Sequence, residues 1–171
     1  DLDLYVTNSG EPNLFFRNSG GVFTEEADSM GVASTTDSLS ITPGDSLAGT
    51  LTDTTVVQLV EDSRGVALAD FDSDGGLDLY VAVQGDLDRL YQNQEANGNW
   101  LIVRPISTQS SADAIGTRIE IVYNGDNGDL QAFREITGGA SFLSQDALVA
   151  SFGVGQAEFL KILAVRWPSG I

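Results

Sequence analysis

The chain has 171 residues, 42% of them hydrophobic, enough for one ordinary domain or two small ones around a buried core. It contains no cysteine and no histidine, which excludes disulfides, thiol nucleophiles, zinc sites and histidine bases within it. A net charge of −17, from 25 acids against eight bases, makes nucleic acid and anionic membrane surfaces poor partners, and no run approaches the roughly 20 apolar residues that a membrane-spanning helix needs.

The first six residues, Asp1-Leu2-Asp3-Leu4-Tyr5-Val6, read as the middle of a strand, so the sequence is expected to belong to something longer. The same pattern returns as Gly76-Leu77-Asp78-Leu79-Tyr80-Val81. The offset of 75 holds without a gap: Gly10 falls on Gly85, Asn13 on Asp88, Phe15 on Leu90, Phe16 on Tyr91 and Asn18 on Asn93. Each copy predicts a strand, a glycine-centred turn and a second strand ending in Asn, with the period-2 alternation of a half-buried strand. The paired aromatic and aliphatic positions of the second strand are expected in the core.

Between the copies, residues 33–55 are rich in Ser, Thr, Asp and Gly and lack Lys and Arg. They read as an inserted loop with at most a short edge strand at Ser38–Ile41. Strand signals resume at 56–60 and 66–69. Beyond residue 93 the charge changes. Residues 1–93 hold 17 acids and three bases, net −14, whereas residues 94–171 hold eight acids and five bases, net −3. Strands are expected at Trp100–Arg104, Thr117–Tyr123, Leu130–Ile136, Leu148–Phe152 and Leu160–Trp167, with Asn124-Gly125-Asp126-Asn127-Gly128 as a turn. Only Gln156–Lys161 has the pattern of a short helical turn. The expected class is all-β, with one region at 1–93 and a second, antiparallel and sandwich-like, at 97–171.

The densest chemistry lies in Asp70-Phe71-Asp72-Ser73-Asp74-Gly75-Gly76-Leu77-Asp78. Acids stand at the first, third, fifth and ninth positions, and glycine at the sixth, where a loop that wraps an ion must turn sharply. Carboxylates this close repel one another unless a cation lies among them. Ca²⁺ takes six to eight hard oxygen ligands in a flexible shell, which suits this loop better than the strict octahedron of Mg²⁺. The expected ligands are Asp70, Asp72, Asp74 and Asp78, with the carbonyl of Gly76. An EF-hand would need glutamate at position 12, where Val81 stands, and helices on both flanks. The alternative is a solvated acidic turn without metal.

With Gly65-Val66-Ala67-Leu68-Ala69 before it and Leu79-Tyr80-Val81 after it, this loop resembles the FG-GAP/VCBS-type calcium-loop repeat of integrin-like β-propellers. The resemblance implies partial propeller blades whose loop joins two strands and binds Ca²⁺. It makes Asp1 and Asp3 the closing half of a preceding, truncated loop. The second region is similar to the ASPIC/UnbV domain, through Asn99-Trp100-Leu101, Ile115-Gly116-Thr117-Arg118, Arg134-Glu135-Ile136, Leu143-Ser144-Gln145, Phe152-Gly153-Val154-Gly155 and Val165-Arg166-Trp167-Pro168-Ser169-Gly170. Together the resemblances imply an acidic, adhesion-like protein, secreted or at the cell surface, with no catalytic residues to transfer.

Other constellations point to binding rather than catalysis. Ser141 and Ser144 have no adjacent base. Arg118, Arg134 and Arg166 lie on expected strands near Glu120 and Glu135, which leaves two readings: cross-strand ion pairs, or an anion-binding partner patch. The sequence therefore predicts a calcium-binding extracellular adhesion or interaction module, not an enzyme, whose partners are a protein or glycan at the cell surface and the rest of its own propeller. A calcium-dependent carbohydrate-binding module and a non-catalytic accessory region of a secreted hydrolase are the alternatives.

Overall fold

The computed structural model describes residues 2–41, 54–94, 98–109, 111–125 and 128–170, with the strand backbone alone for 36–41 and 54–58. Among the described residues there are thirteen strands and no helix. None of the described segments can therefore cross a membrane as a helix.

The first copy of the repeat supplies β1 (Leu4–Val6) and β2 (Leu14–Ser19), antiparallel with Leu4 opposite Phe16 and Val6 opposite Leu14. β3 (Val22–Glu25) returns on β2 through Gly20 and Gly21, both at positive φ, and completes a three-stranded sheet. All four residues of β3 are exposed, so it carries no alternation that sequence could reveal. The segment expected to be an inserted loop is framed by an antiparallel pair, β4 (Thr35–Ile41) and β5 (Thr54–Val60), in register from Thr35 opposite Val60 to Ile41 opposite Thr54. Its Thr, Ile and Val residues have strand propensity, which outweighs the loop-like overall composition. Residues 42–53 lie outside the described residues. The second copy supplies β7 (Asp78–Val83) and β8 (Arg89–Tyr91), which follow β6 (Ser63–Ala69) in a sheet ordered β6-β7-β8. Leu90, expected in the core, is exposed.

The C-terminal strands fall close to their expected places: β9 (Asn99–Val103), β10 (Arg118–Gly125), β11 (Gly128–Glu135), β12 (Ala150–Gly155) and β13 (Leu160–Arg166). They make two antiparallel sheets, β11-β10-β13 and β12-β9. Ile119 and Ile121 of β10 and Phe152 and Val154 of β12 meet in one core with Ile136, Ala150 and Ala157, flanked by Leu101, Val103 and Val165. Alternation explains the choice: Arg118, Glu120 and Val122 face away from that core while Ile119 and Ile121 are fully buried. The expected helical turn at 156–161 is absent. A single turn, with Ala157 N donating to Val154 O at 3.1 Å, leads directly into β13.

The chain divides into two compact units, each discontinuous in sequence: Asp1–Gly65 with Val81–Arg89, and Val66–Tyr80 with Leu90–Ile171. The first has a polar heart. Asn13 accepts at Oδ1 from Asn8 N (2.8 Å), and its Nδ2 donates to Tyr5 Oη (3.0 Å) and Ser63 Oγ (2.9 Å). Beside it Glu61, also buried, pairs with Arg89. The second unit has the apolar core described above, and also contains the acidic loop.

Candidate metal centre

The acidic loop runs from the end of β6 to the start of β7. β6 is held along its edge by the C-terminal region: Val66 N donates to Ser144 Oγ and Leu68 N to Asp146 Oδ1, while Ala147 N donates to Leu68 O. The loop then folds around its own carboxylates. Asp70 Oδ1 accepts from Asp74 N (3.1 Å) and its Oδ2 from Gly75 N (3.0 Å). Asp72 Oδ1 also accepts from Asp74 N (3.2 Å), and Asp74 Oδ1 from Gly76 N (2.8 Å). These bonds are the side-chain turns that Asp favours, and they bend the chain twice through left-handed residues, Ser73 at φ +65° and Gly75 at φ +93°.

Asp78 closes the loop from β7. Its side chain is only 2% exposed, and it accepts from Phe71 N at Oδ2 and Asn93 N at Oδ1, both at 2.9 Å. Gln92 Nε2 reaches Asp72 Oδ2 at 2.6 Å from the end of β8. One carboxylate oxygen each from Asp70, Asp72 and Asp78 can lie within 4.8 Å of the others. With Ca²⁺–oxygen bonds of about 2.3–2.6 Å, two ligands on opposite sides of one ion stand about 5 Å apart, so this separation is one that a single Ca²⁺ spans. Among the described residues no Lys or Arg is ion-paired with Asp70, Asp72, Asp74 or Asp78. Asp78, buried, has a backbone N–H donor at each of its two oxygens.

The expected ligand set is therefore brought together in part. Asp70, Asp72 and Asp78 converge; Asp74 lies in the same loop but outside that group, its Oδ1 engaged by Gly76 N. Gly76 is buried beside it. In the preceding copy Asp3 Oδ1 accepts from Asn18 N at 2.8 Å, matching Asp78 and Asn93 at the 75-residue offset; Asp1 lies outside the described residues.

Three residues around the loop lie outside the expected ligand set: Gln92, Asn93 and Trp100. Asn93 was visible as the repeat partner of Asn18, and its backbone bond to Asp78 follows from that equivalence. Trp100 gave no signal. Its indole lies against Gly75 so closely that a Cβ there would sit 1.9 Å from Cδ1, and glycine is therefore required at this position twice, by φ and by space.

The three arginines, read as cross-strand ion pairs or as an anion-binding patch, do not share one face of the sheet. Arg118 and Arg166 are register partners across β10 and β13 and point away from the core. Arg134 is the partner of Ile119, on the inner face, with its guanidinium carbon 5.3 Å from the centroid of the Phe152 ring. Burial lowers its pKa from the ordinary arginine value. The register of the β10–β11 pair, which sets Arg118 against Glu135, puts Arg134 on the opposite side.

Comparison with known proteins agrees with the C-terminal part of this description. Residues 107–171 match the family model "ASPIC and UnbV". Cartilage acidic protein 1 of Homo sapiens is 36% identical over 110 residues, 62% of this chain and 16% of the relative. The Xenopus tropicalis protein of the same name is 36% identical over 115 residues, covering 64% and 17%, and that of Mus musculus 34% over 110 residues, covering 62% and 16%. The chain thus spans 16–17% of the length of these curated relatives, and its residues 107–171 carry the similarity to the ASPIC and UnbV family.

Proposed function

We propose that this chain is a calcium-binding interaction module of an extracellular protein, without catalytic activity of its own. The observation that carries this reading is the convergence of Asp70, Asp72 and Asp78 within 4.8 Å, one of them buried, with no Lys or Arg of the described residues ion-paired to them. Asp70, Asp72, Asp74, Asp78 and the Gly76 carbonyl are the groups that would hold the ion. Bound there, Ca²⁺ supplies the positive charge that lets these carboxylates share one loop. Asp78 anchors β7 to that loop, and the Asp70 and Asp74 turns set its curvature.

The secreted setting is supported by relatives named for cartilage and for acidity, and this chain shares the acidity at net charge −17. The blade reading of residues 1–93 is supported by the two repeat copies, which make the same Asp–Asn hydrogen bonds. The absence of His and Cys supports a binding role over catalysis. A second reading, calcium-dependent carbohydrate binding, draws on a cleft of about 550 Å³ where Trp100 and Phe159 stand beside Asn99 and Glu158. Two aromatic rings with an amide and a carboxylate suit a ligand that has both apolar faces and hydroxyls.

Calorimetric titration tests the principal reading. About one Ca²⁺ per chain is expected, with Kd at or below about 10⁻⁴–10⁻³ M. Asp78→Asn and Asp74→Ala should each weaken it. No heat in the wild-type chain, or undiminished binding in both variants, removes the assignment.

A further inference from the structure

The eight cations of this chain fall into two sets. Arg17, Arg64, Arg89 and Lys161 are ion-paired, with Glu26, Asp62, Glu61 and Asp129. Arg104, Arg118, Arg134 and Arg166 have no such partner among the described residues. With 25 acids in the sequence, this is not for want of carboxylates. Arg134 is accommodated on the inner face, stacked near Phe152 and donating from Nη1 to Phe133 O. Arg104 lies just beyond the end of β9.

Arg118 and Arg166 are different, because they stand directly opposite each other on paired strands. Like charges in that relation destabilise a strand pair. Arg118 is also held in place, its guanidinium carbon 4.2 Å from the centroid of the Phe133 ring. The carboxylates of the same face leave the pair uncompensated. Glu135 is the register partner of Arg118 but forms no ion pair with it, and Glu120 is hydrogen-bonded by Gln131 Nε2. Further along this face lie Phe133 and Ile162, 54% and 53% exposed, with Val122 and Ala164 half-buried between the strands.

We propose that the outer face of the β11-β10-β13 sheet docks an acidic, partly apolar peptide segment of a protein partner. Its carboxylates pair with Arg118 on the β11 side and Arg166 on the β13 side, and its apolar side chains cover Ile162 and the part of Phe133 that Arg118 leaves open. A carboxylate at each guanidinium offsets the like charge across the strand pair and gains charge-assisted hydrogen bonds with good fork geometry. The apolar half of the face selects a peptide over a sulfated glycan, which offers no apolar side chains to it. The rest of the chain, at −17, disfavours an extended polyanion, whereas a single carboxylate feels mainly the charges within a Debye length of about 8 Å. This surface shares no residue with the acidic loop and does not depend on calcium.

The test is an NMR titration of the full chain at 0.15 M salt with a short capped peptide alternating leucine and glutamate. Saturable shifts are expected at the amides of Arg118, Phe133 and Arg166. Replacing glutamate by glutamine in the peptide, or making Arg118→Gln or Arg166→Gln in the protein, should each weaken binding at least about tenfold. Arg104→Gln should change it by less than about twofold. Arg166→Gln should melt at or above the wild-type temperature, since it relieves the repulsion; Arg166→Lys, which keeps the charge and loses the fork, is the second variant and should also bind more weakly. The proposal fails if the glutamine peptide binds equally, if Arg104→Gln weakens binding as much, or if no shift saturates. It also fails if only heparin or inorganic sulfate binds, or if the same amides shift with protein concentration alone, which would make a second copy the occupant.

Discussion

The two copies of the 75-residue repeat share their hydrogen bonds and differ in what they bury. In the first, Asp3 Oδ1 accepts from Asn18 N and Asn13 Oδ1 from Asn8 N. In the second, Asp78 Oδ1 accepts from Asn93 N and Asp88 Oδ1 from Val83 N, each 75 positions on. Burial runs the other way. Asp3 is exposed and Asp78 almost fully buried; Asn13 is 1% exposed and Asp88 is exposed. The repeat thus encodes a main-chain frame, and the surroundings decide which acceptor is desolvated. Where a carboxylate is desolvated, in the second copy, it lies beside those of Asp70 and Asp72.

Turn glycines give the sharpest contrast. Gly10 and Gly85 are repeat equivalents at φ +76° and +82°, with open space where a Cβ would go. Alanine at either should cost about 1–2 kcal/mol for the left-handed backbone. Gly75, at φ +93°, has the Trp100 indole in that space. Gly75→Ala adds overpacking to the same backbone penalty and should cost at least about 3 kcal/mol. Urea unfolding of the three variants measures this. If Gly75→Ala and Gly85→Ala lie within about 1 kcal/mol of each other, the indole leaves its seat freely and the loop is not clamped.

Calcium should divide the copies next. Asparagine at position 78 keeps one of two acceptors and sets an amide N–H₂ against an N–H donor, a loss of about 1–3 kcal/mol. Asp3→Asn keeps an oxygen for its single bond to Asn18 N and should stay within about 0.5 kcal/mol. At a hundredfold excess over Kd, calcium should stabilise both wild type and Asp3→Asn by about 2.7 kcal/mol and leave Asp78→Asn unmoved. Melting curves with Ca²⁺ and with chelator read this directly. An equal calcium response in wild type and Asp78→Asn would place the ion elsewhere.

Much of this frame was legible beforehand. The five C-terminal strands follow from alternation and turn residues, and the offset of 75 follows from matching letters. What was not legible depended on contacts between distant residues. β3 is exposed along its length and has no buried face to pattern it. In β11 one face carries Leu130, Ala132 and Arg134 and the other Gln131, Phe133 and Glu135, so each mixes apolar with charged and the period does not choose between them. Only pairing with β10 turns Arg134 inward. Trp100 meets Gly75 across 25 positions of sequence, with nothing local to announce it.

The buried polar hub of the first copy has a smaller but measurable asymmetry with its repeat equivalent. Asn13→Ala removes the acceptor of Asn8 N and the donor to Tyr5 Oη and Ser63 Oγ in a desolvated site, Tyr5 Oη keeping its bond to Val32 O, and should cost about 2 kcal/mol. Asp88→Ala removes the exposed acceptor of Val83 N and should cost about 0.5–1 kcal/mol. Equal losses in denaturant melts would show that the two turns are desolvated alike, against the burial difference.

The smallest effect concerns the residue where the two copies meet. Asp62 bridges to Ser9 of the first copy through the backbone, and its carbonyl accepts from Gln84 N at 2.9 Å, Gln84 being the repeat equivalent of Ser9. Its carboxylate is held below the ordinary carboxylate pKa of 3.8, first by the neighbouring Ser9 side chain and then by Arg64, whose Nη2 lies 2.7 Å away, with desolvation opposing them. A depressed folded pKa means that the group stabilises the fold above its unfolded pKa, and that this contribution disappears as pH falls through the folded value. The window therefore lies below about pH 4. Asp62→Asn should leave stability at pH 7 slightly reduced and flatten the acid limb below pH 4, while Ser9→Ala should raise the Asp62 pKa towards 3.8 without removing the Arg64 pair. Carbon-detected NMR titration of the Asp62 carboxyl reads the second effect. Because the pair with Arg64 is partly exposed, added salt should shrink its share and leave the Ser9 share in place. If Arg64→Gln moves the Asp62 pKa more than Ser9→Ala does, the ion pair and not the contact with the first copy sets this carboxylate, and the two copies are joined there by backbone alone.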